Sequence, residues 1–220
     1  MSKSKTIIVG MSGGVDSSVA ALLLKKQGFK VKGLFMQNWQ NEADEECTSE
    51  IDFKDASAVC DLLDIPLHRA NFADEYWDRV FKEFLSEHEK GRTPNPDILC
   101  NREIKFKSFL DYAIKIGADM IATGHYANLR SINDHVHLTR ATDLNKDQTY
   151  FLHEVQEDEF KKCIFPLANL TKAEVRKIAE ENNLPIADKK DSVGICFVGE
   201  RNLKDFLNKF ITFKKGKIKD

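Results

Sequence analysis

Apolar positions along this chain fall into short solid runs separated by stretches of helical period, the pattern of buried strands alternating with amphipathic helices. Ile7-Ile8-Val9 predicts a short buried strand. The helix expected next runs from about Asp16 to Gln27, with Val19, Leu22 and Leu23 on its buried face and Gly28 closing it. Lys30 to Gln37 reads as a second strand carrying Val31, Leu34, Phe35 and Met36, and Asn38 to Glu46 as a polar, acidic turn. A helix from about Ser49 to Leu63 places Phe53, Ala56, Cys60 and Leu63 at helical spacing, and beyond Pro66 the run Leu67 to Asn71 predicts a third strand. Asp74 to Lys90 is amphipathic, with Tyr76, Trp77, Val80, Phe81, Phe84 and Leu85 on one side, and Gly91 stops it.

Gly91 to Asp97 breaks every periodicity, with prolines at 94 and 96. A long helix follows to about Ile116, then a short buried strand from Asp119 to Thr123. Asn128 to Arg140 alternates about Asn133-Asp134 and predicts a hairpin; short helices are expected near Gln148 to His153 and Glu157 to Cys163. Thr171-x-x-Glu174 is a capping box for a helix ending near Asn183. Lys189 to Phe197 reads as loop plus strand, Asn202 to Phe210 as a small helix, and Ile211 to Asp220 as the basic, alternating start of a further unit. Internal repeats and low-complexity tracts are absent from the sequence.

This alternation implies an α/β fold: a parallel sheet with helices on both faces and a small appended α-rich segment. One domain is expected over residues 1–210, with a hairpin near 127–140 and a helical segment over 147–183; residues 211–220 would open a connecting domain. Ligands of such sheets bind beyond the carboxyl ends of the strands. The loops holding Ser12 to Ser17, Met36, and Gly124 with His125 should therefore converge.

Composition adds limits. The 220 residues are 42% hydrophobic and 31% charged with a net charge of −2, an ordinary globular balance with no basic excess announcing nucleic acid. The apolar runs fall short of the roughly 18 residues of a membrane span, and Met1 to Lys5 has neither signal nor transit character. Five cysteines without C-x-x-C spacing point to a reducing compartment, and a cytoplasmic location is the simplest expectation.

The stretch Gly10-Met11-Ser12-Gly13-Gly14-Val15-Asp16-Ser17-Ser18 joins the first strand to the first helix. Gly13 and Gly14 let the backbone approach a ligand, and the first N–H groups of a helix, with the positive end of its dipole, attract an anion. Ser12, Ser17 and Ser18 add hydroxyls. No lysine falls between Lys5 and Lys25, so this is not a Walker A loop. It resembles the S-G-G-x-D-S pyrophosphate loop of the ATP pyrophosphatases, the PP-loop superfamily, which cleave ATP between its α- and β-phosphates.

Two cysteines stand in informative settings. In Thr93-Pro94-Asn95-Pro96-Asp97-Ile98-Leu99-Cys100-Asn101 a proline turn delivers Cys100 into the first turn of a helix, where unpaired N–H groups and the dipole favour the thiolate. Asp97 could cap that helix or accept a proton. Asp188-Lys189-Lys190-Asp191-Ser192-Val193-Gly194-Ile195-Cys196-Phe197 sets Gly194 beside Cys196. Taken alone, each cysteine also reads as a core residue.

With Ala122-Thr123-Gly124-His125-Tyr126 and Lys146-Asp147-Gln148-Thr149-Tyr150-Phe151-Leu152, these pieces together resemble the tRNA-specific 2-thiouridylase family from the first strand to about Phe210. The resemblance implies that ATP sits against Gly10, Met11, Ser12, Gly13, Gly14, Val15, Asp16 and Ser17, with Met36 and Gly124 lining the adenosine side and Mg²⁺ neutralising the phosphates. It implies that the C2 oxygen of the wobble uridine attacks the α-phosphate. It assigns a persulfide to Cys196 and nucleophilic catalysis to Cys100 with Asp97, leaving a Cys100–Cys196 disulfide for an external thiol to reduce. Asn95, Pro96 and Asp97 match contacts to the target base; His125, Lys146, Asp147 and Gln148 match contacts to tRNA. The implied partners are tRNA at its anticodon region and a persulfide-donating sulfur carrier or cysteine desulfurase, with no membrane.

Other readings share parts of this pattern: an amidotransferase-type adenylating synthetase with another acceptor, a non-catalytic adenine-nucleotide module, and an iron–sulfur cluster on Cys100, Cys196 and Asp97. Cys47, Cys60 and Cys163 match nothing functional and read as packing or surface residues, and His135-x-His137 as hairpin residues rather than metal ligands. The family continues into a connecting domain and a β-barrel that help grip tRNA, so these residues alone are expected to bind ATP but to hold tRNA weakly.

Overall fold

The computed structural model describes residues 4–39, 48–191 and 202–212. Its central strand, β1 (Thr6–Met11), has no polar side chain in the apolar block and is buried almost throughout. Strands β2 (Lys30–Gln37), β3 (Leu67–Asn71), β4 (Met120–Ala122) and β7 (Cys163–Ile164) join it in a five-stranded parallel sheet of order β3-β2-β1-β4-β7. β5 (Asn128–Ile132) and β6 (His135–Thr139) form a separate antiparallel hairpin. Asn133 and Asp134 turn it with φ of 49° and 65°, the left-handed pair that a two-residue hairpin turn requires.

Alternation along the strands sorts the core into two layers. Ile7, Val9, Met11, Val31 and Phe35 face α1 (Val15–Lys26), α2 (Thr48–Leu62) and α6 (Lys172–Glu181). Ile8, Leu34 and Ile121 face two long helices on the other side. The first, α3, covers 73–89 and passes through a π-helical turn at Trp77–Phe81; the second, α4, covers 96–115 and is π-helical over Asn101–Ser108. Short helices α5 (Glu157–Phe160) and α7 (Leu203–Leu207) add to that second layer. Helices thus cover both faces of the parallel sheet. Among the described residues, no helix is long and apolar enough to cross a membrane.

Three expectations change. The helix expected over Glu157 to Cys163 ends at Phe160, and Cys163–Ile164 pairs with Ile121 and Ala122 as the fifth strand. Two residues are too few to show a period. Near Gln148 to His153 the backbone forms only a 3₁₀ turn, Thr149–Leu152. In α1, Leu24 rather than Leu23 is fully buried, because this helix is enclosed on most sides.

Candidate active site

The order of the sheet sets β1 and β4 side by side, and the chain leaves β1 toward β2 on one side but leaves β4 toward β7 on the other. That reversal opens a crevice in sheets of this kind. The loop Ser12–Gly14 lies there, with Gly14 as the N-cap residue of α1 and no side chain capping it. Gly13 has φ of +74° and its α-carbon packs on the Asp52 carbonyl of α2, so a methyl group would collide there. Gly14's carbonyl turns back into α1, accepting from the Ser18 N–H at 3.3 Å and from the Ser17 and Ser18 hydroxyls at 3.1 and 2.8 Å. Ser18 is therefore a buried brace and not a donor to a ligand, a correction to the sequence reading. Ser12 stays exposed, its hydroxyl 3.1 Å from that of Ser17 and its N–H donating to Ser17 Oγ at 3.2 Å.

Gly124, just past β4, lies against the first turn of α1: a Cβ there would come within 2.7 Å of the Ser17 nitrogen and 2.8 Å of the Asp16 carbonyl carbon. Gly10 is closed in by Met36 and Phe109, each 3.4 Å from where a Cβ would stand. The turns after β1 and β4 do converge; Met36 lies within β2, beside Gly10 of β1, and residues 40–47 lie outside the described residues.

Around this loop runs a belt of ion pairs that sequence reasoning missed. Lys172 Nζ reaches both Asp16 carboxylate oxygens at 2.7 and 2.9 Å and Asp191 Oδ1 at 2.7 Å, with its side chain only 13% exposed. Tyr126 donates its hydroxyl to Asp16 Oδ1 at 2.8 Å. Burial first, and the Asp16 carboxylate next, push that phenol above its usual range, so it serves as a donor. Asp191 also accepts from Lys146 at 2.8 Å and Arg176 at 2.9 Å. Desolvation acts to raise the Asp191 carboxyl, but the Lys146 and Lys172 ammonium groups outweigh it and hold it down at about 2. On the loop's other flank Lys189 Nζ bonds the Gly13 carbonyl at 3.1 Å, Asp52 at 2.8 Å and Asp55 at 2.5 Å. The only signals were positional: Lys172 follows the capping residue Thr171, and Lys189 stands in the charged run before Cys196.

The second predicted group sits at the start of α4. Asn95, not Asp97, caps that helix: its side chain accepts the Asp97 N–H at 3.0 Å, with Pro96 in the first helical position. Asp97 is half-buried, and desolvation raises its carboxyl above the ordinary range, partly offset by Lys105. Cys100 is the fifth helical residue, past the first turn, and 3% exposed among Leu99, Ile104 and Phe106, so the open N–H groups of the helix start do not face it. Next to it Asn101, 2% exposed, donates to the Phe151 carbonyl at 3.0 Å while its Oδ1 is buried with no hydrogen-bond partner.

The segment 146–152 links the two groups. Gln148 exchanges two bonds with Tyr126, its side-chain oxygen accepting the Tyr126 N–H at 3.0 Å and its own N–H donating to the Tyr126 carbonyl at 2.8 Å. Asp147 accepts from Ala141 N–H at 2.9 Å, Arg140 and Thr149, closing the base of the hairpin. Lys146, Asp147 and Gln148 thus all have partners inside the protein. His125 is 8% exposed, bonded to Thr123 Oγ1 at 2.7 Å and packed on Phe106 and Phe165. Burial holds its pKa well below the ordinary value, so the ring is neutral.

Cys196, Gly194 and Cys47 lie outside the described residues. Cys60 and Cys163 are buried packing residues whose thiols are pushed up by desolvation, Cys60 to about 12. Among the described residues, no cluster of His, Cys, Asp and Glu could hold a metal ion.

Residues 5–200 match the model of the family described as tRNA methyl transferase HUP domain. A tRNA-specific 2-thiouridylase MnmA of Pseudomonas fluorescens (strain SBW25) is 58% identical over 218 residues, covering 99% of this chain and 58% of that protein. Its counterpart in Francisella tularensis subsp. novicida is 57% identical over 220 residues, covering 99% of this chain and 61% of its own length. The chain spans about three-fifths of the length of these relatives. Among solved structures, a 4-thiouridine synthetase–RNA complex with bound ATP shares the fold at a TM-score of 0.57 and 17% identity, covering 93% of this chain and 50% of that one. The U34-tRNA thiolase NcsA from Methanococcus maripaludis, with its [4Fe-4S] cluster, aligns at a TM-score of 0.52 and 20% identity over 82% of this chain and 57% of its own.

Proposed function

From the premise that this chain belongs to the tRNA methyl transferase HUP domain family, alongside tRNA-specific 2-thiouridylases, we propose that it is the ATP-using part of a tRNA-uridine 2-sulfurtransferase. The observation that carries this reading is the bridge between loop and cysteine helix: Asn101 to Phe151, Gln148 to Tyr126, Tyr126 to Asp16. It ties the helix bearing Cys100 to the first turn of α1, as a shared pocket requires.

In this reading ATP is a substrate, and its phosphates lie against Ser12, Gly13, Gly14 and the opening N–H groups of α1. The fit rests on the helix start at Gly14, which no side chain caps, and on the bare α-carbons of Gly13 and Gly124, which let α2 and the turn after β4 pack directly on the loop and on the first turn of α1. The C2 oxygen of the target uridine bonds to the α-phosphorus and pyrophosphate leaves. Mg²⁺ accompanying the phosphates would offset charge that the loop, lacking a lysine, does not. Asp97, whose carboxyl burial raises above the ordinary range, is suited to take a proton from the base.

Sulfur then comes from a persulfide on Cys196. Its outer sulfur bonds to C2, AMP departs with the former C2 oxygen, and the Cys100 thiolate attacks Cys196 Sγ, forming the Cys100–Cys196 disulfide as the persulfide S–S bond breaks. The electrons for the next turnover come from an external thiol. Asp191, five residues before Cys196 in the sequence, is tied through Lys172 to Asp16 at the start of α1. The persulfide donor is a sulfur carrier or cysteine desulfurase, and the setting cytoplasmic, in line with cysteines kept as thiols.

Mass spectrometry of nucleosides from tRNA incubated with ATP, a persulfide source and the protein should detect 2-thiouridine. Cys100→Ser and Cys196→Ser should each abolish it while pyrophosphate release persists. Full thiolation by either variant would refute the relay, and iron in anaerobically purified protein would favour a cluster instead.

A further inference from the structure

Two lysines flank the nucleotide loop, and neither has a donor left for a phosphate. An ammonium group offers three N–H bonds. Lys172 directs its three to Asp16 Oδ1, Asp16 Oδ2 and Asp191 Oδ1. Lys189 directs its three to the Gly13 carbonyl, Asp52 and Asp55. Its bond to Gly13 crosses 176 residues and ends on the backbone of the loop itself.

That bond fixes the orientation of a peptide plane. The Gly13–Gly14 peptide is trans, so its N–H points opposite to its C=O. With the Gly13 carbonyl drawn toward Lys189, the Gly14 N–H is directed to the other side. Gly14's own carbonyl is meanwhile drawn into α1 by Ser17 and Ser18. Two successive carbonyls are thus held by the protein, which directs the N–H groups of the same two peptides, those of Gly14 and Val15, away from them, an arrangement suited to an anion. Gly13 alone would not keep this orientation, since at φ of +74° glycine has low barriers to rotating its peptide planes.

α2 completes the brace. The Asp52 carbonyl packs on the Gly13 α-carbon, and the Asp52 and Asp55 carboxylates, on one face of the same helix, hold Lys189. Lys189 is partly buried, and against that desolvation the two carboxylates keep its ammonium above the ordinary pKa. Arg176 holds the Lys189 carbonyl at 3.1 Å, so the backbone that delivers Lys189 is itself fixed.

We infer that Lys189 is a positioning residue for pyrophosphate recognition, acting through the Gly13 carbonyl to aim the Gly14 N–H and not by touching phosphate. The inference rests on the loop being the nucleotide site proposed above. Its test is a comparison of ligands by isothermal titration of the 220-residue chain with ATP, inorganic pyrophosphate and adenosine. Lys189→Met should weaken ATP and pyrophosphate about tenfold or more, as losing a hydrogen bond to a charged group does. Adenosine, which does not need the loop, should bind within about twofold of wild type. Asp55→Asn, which loosens Lys189 without removing it, should weaken pyrophosphate by an intermediate factor, about threefold, and decides the matter if Lys189→Met does not fold. Unchanged pyrophosphate binding in these variants would overturn the inference, as would equal losses for adenosine and pyrophosphate. A wild-type chain that binds neither ATP nor pyrophosphate would instead sink the nucleotide reading itself.

Discussion

Each ammonium beside the loop has its three donors committed to protein oxygens, so local charge is close to balanced and recognition falls to backbone N–H groups. Two residue-scale predictions follow from that balance. Gly13→Ala forces a side chain into the left-handed region and against the Asp52 carbonyl. It should cost about 1–2 kcal/mol from the backbone alone, measured by urea unfolding, and abolish ATP binding. Asp191, held at about 2 against an ordinary 3.8, favours the folded state when ionised. Its contribution is present in full above about pH 4 and disappears as pH falls through about 2. Asp191→Asn should therefore flatten the acid limb of a melting-temperature profile between pH 2 and 5; superimposable limbs would refute the assignment. Reading residues alone picked out Ser12, Gly13 and Gly14 because bare or hydroxylated positions at a strand–helix turn have few other uses. It left Asp97 as either a cap or a proton acceptor, since Asn95 and Asp97 are both capping types and only the fold shows that Asn95 meets the Asp97 N–H.

At the scale of elements, α6 is the part of the molecule that presents Lys172. Thr171 caps it in a complete box with Glu174, accepting from the Glu174 N–H while the Glu174 carboxylate accepts from the Thr171 N–H at 2.7 Å. Thr171→Ala should cost about 1 kcal/mol and loosen the adjacent Lys172–Asp16 pair. A parallel loss of melting temperature and ATP affinity would bear this out, whereas unchanged ATP affinity would separate the cap from the site. Both long helices on the opposite face contain π-helical stretches, and that of α4 begins immediately after Cys100. A hydrophobic pattern reports the length of such helices but not the extra residue in their turns. The same limit hid β7, whose two residues pair only because β4 lies beside them.

For the whole molecule, the Ser12–Gly14 loop stands where α1, α2, the Gly124 turn and the ion-paired chain over 187–191 meet. A ligand bound there braces four parts of the chain at once. ATP at a hundred times its Kd stabilises a folded protein by about 2.7 kcal/mol. For a chain of this size that corresponds to a rise in melting temperature of about 5–11 °C, and a differential scanning titration showing no shift would contradict the site.

The order of apolar blocks and the glycine–serine turn were enough to determine a parallel α/β sheet and to place the Ser12–Ser17 turn beyond the carboxyl end of its first strand. Both depend on neighbours in the chain and on a periodicity that local sequence displays. Tertiary structure alone decided how the loop is held. Asp16 meets Lys172 across 156 residues and Gly13 meets Lys189 across 176, pairings that no window of sequence contains. It also gave Lys146, Asp147 and Gln148 partners within the protein and His125 a buried shell, none of which exists until the sheet, hairpin and helices have packed.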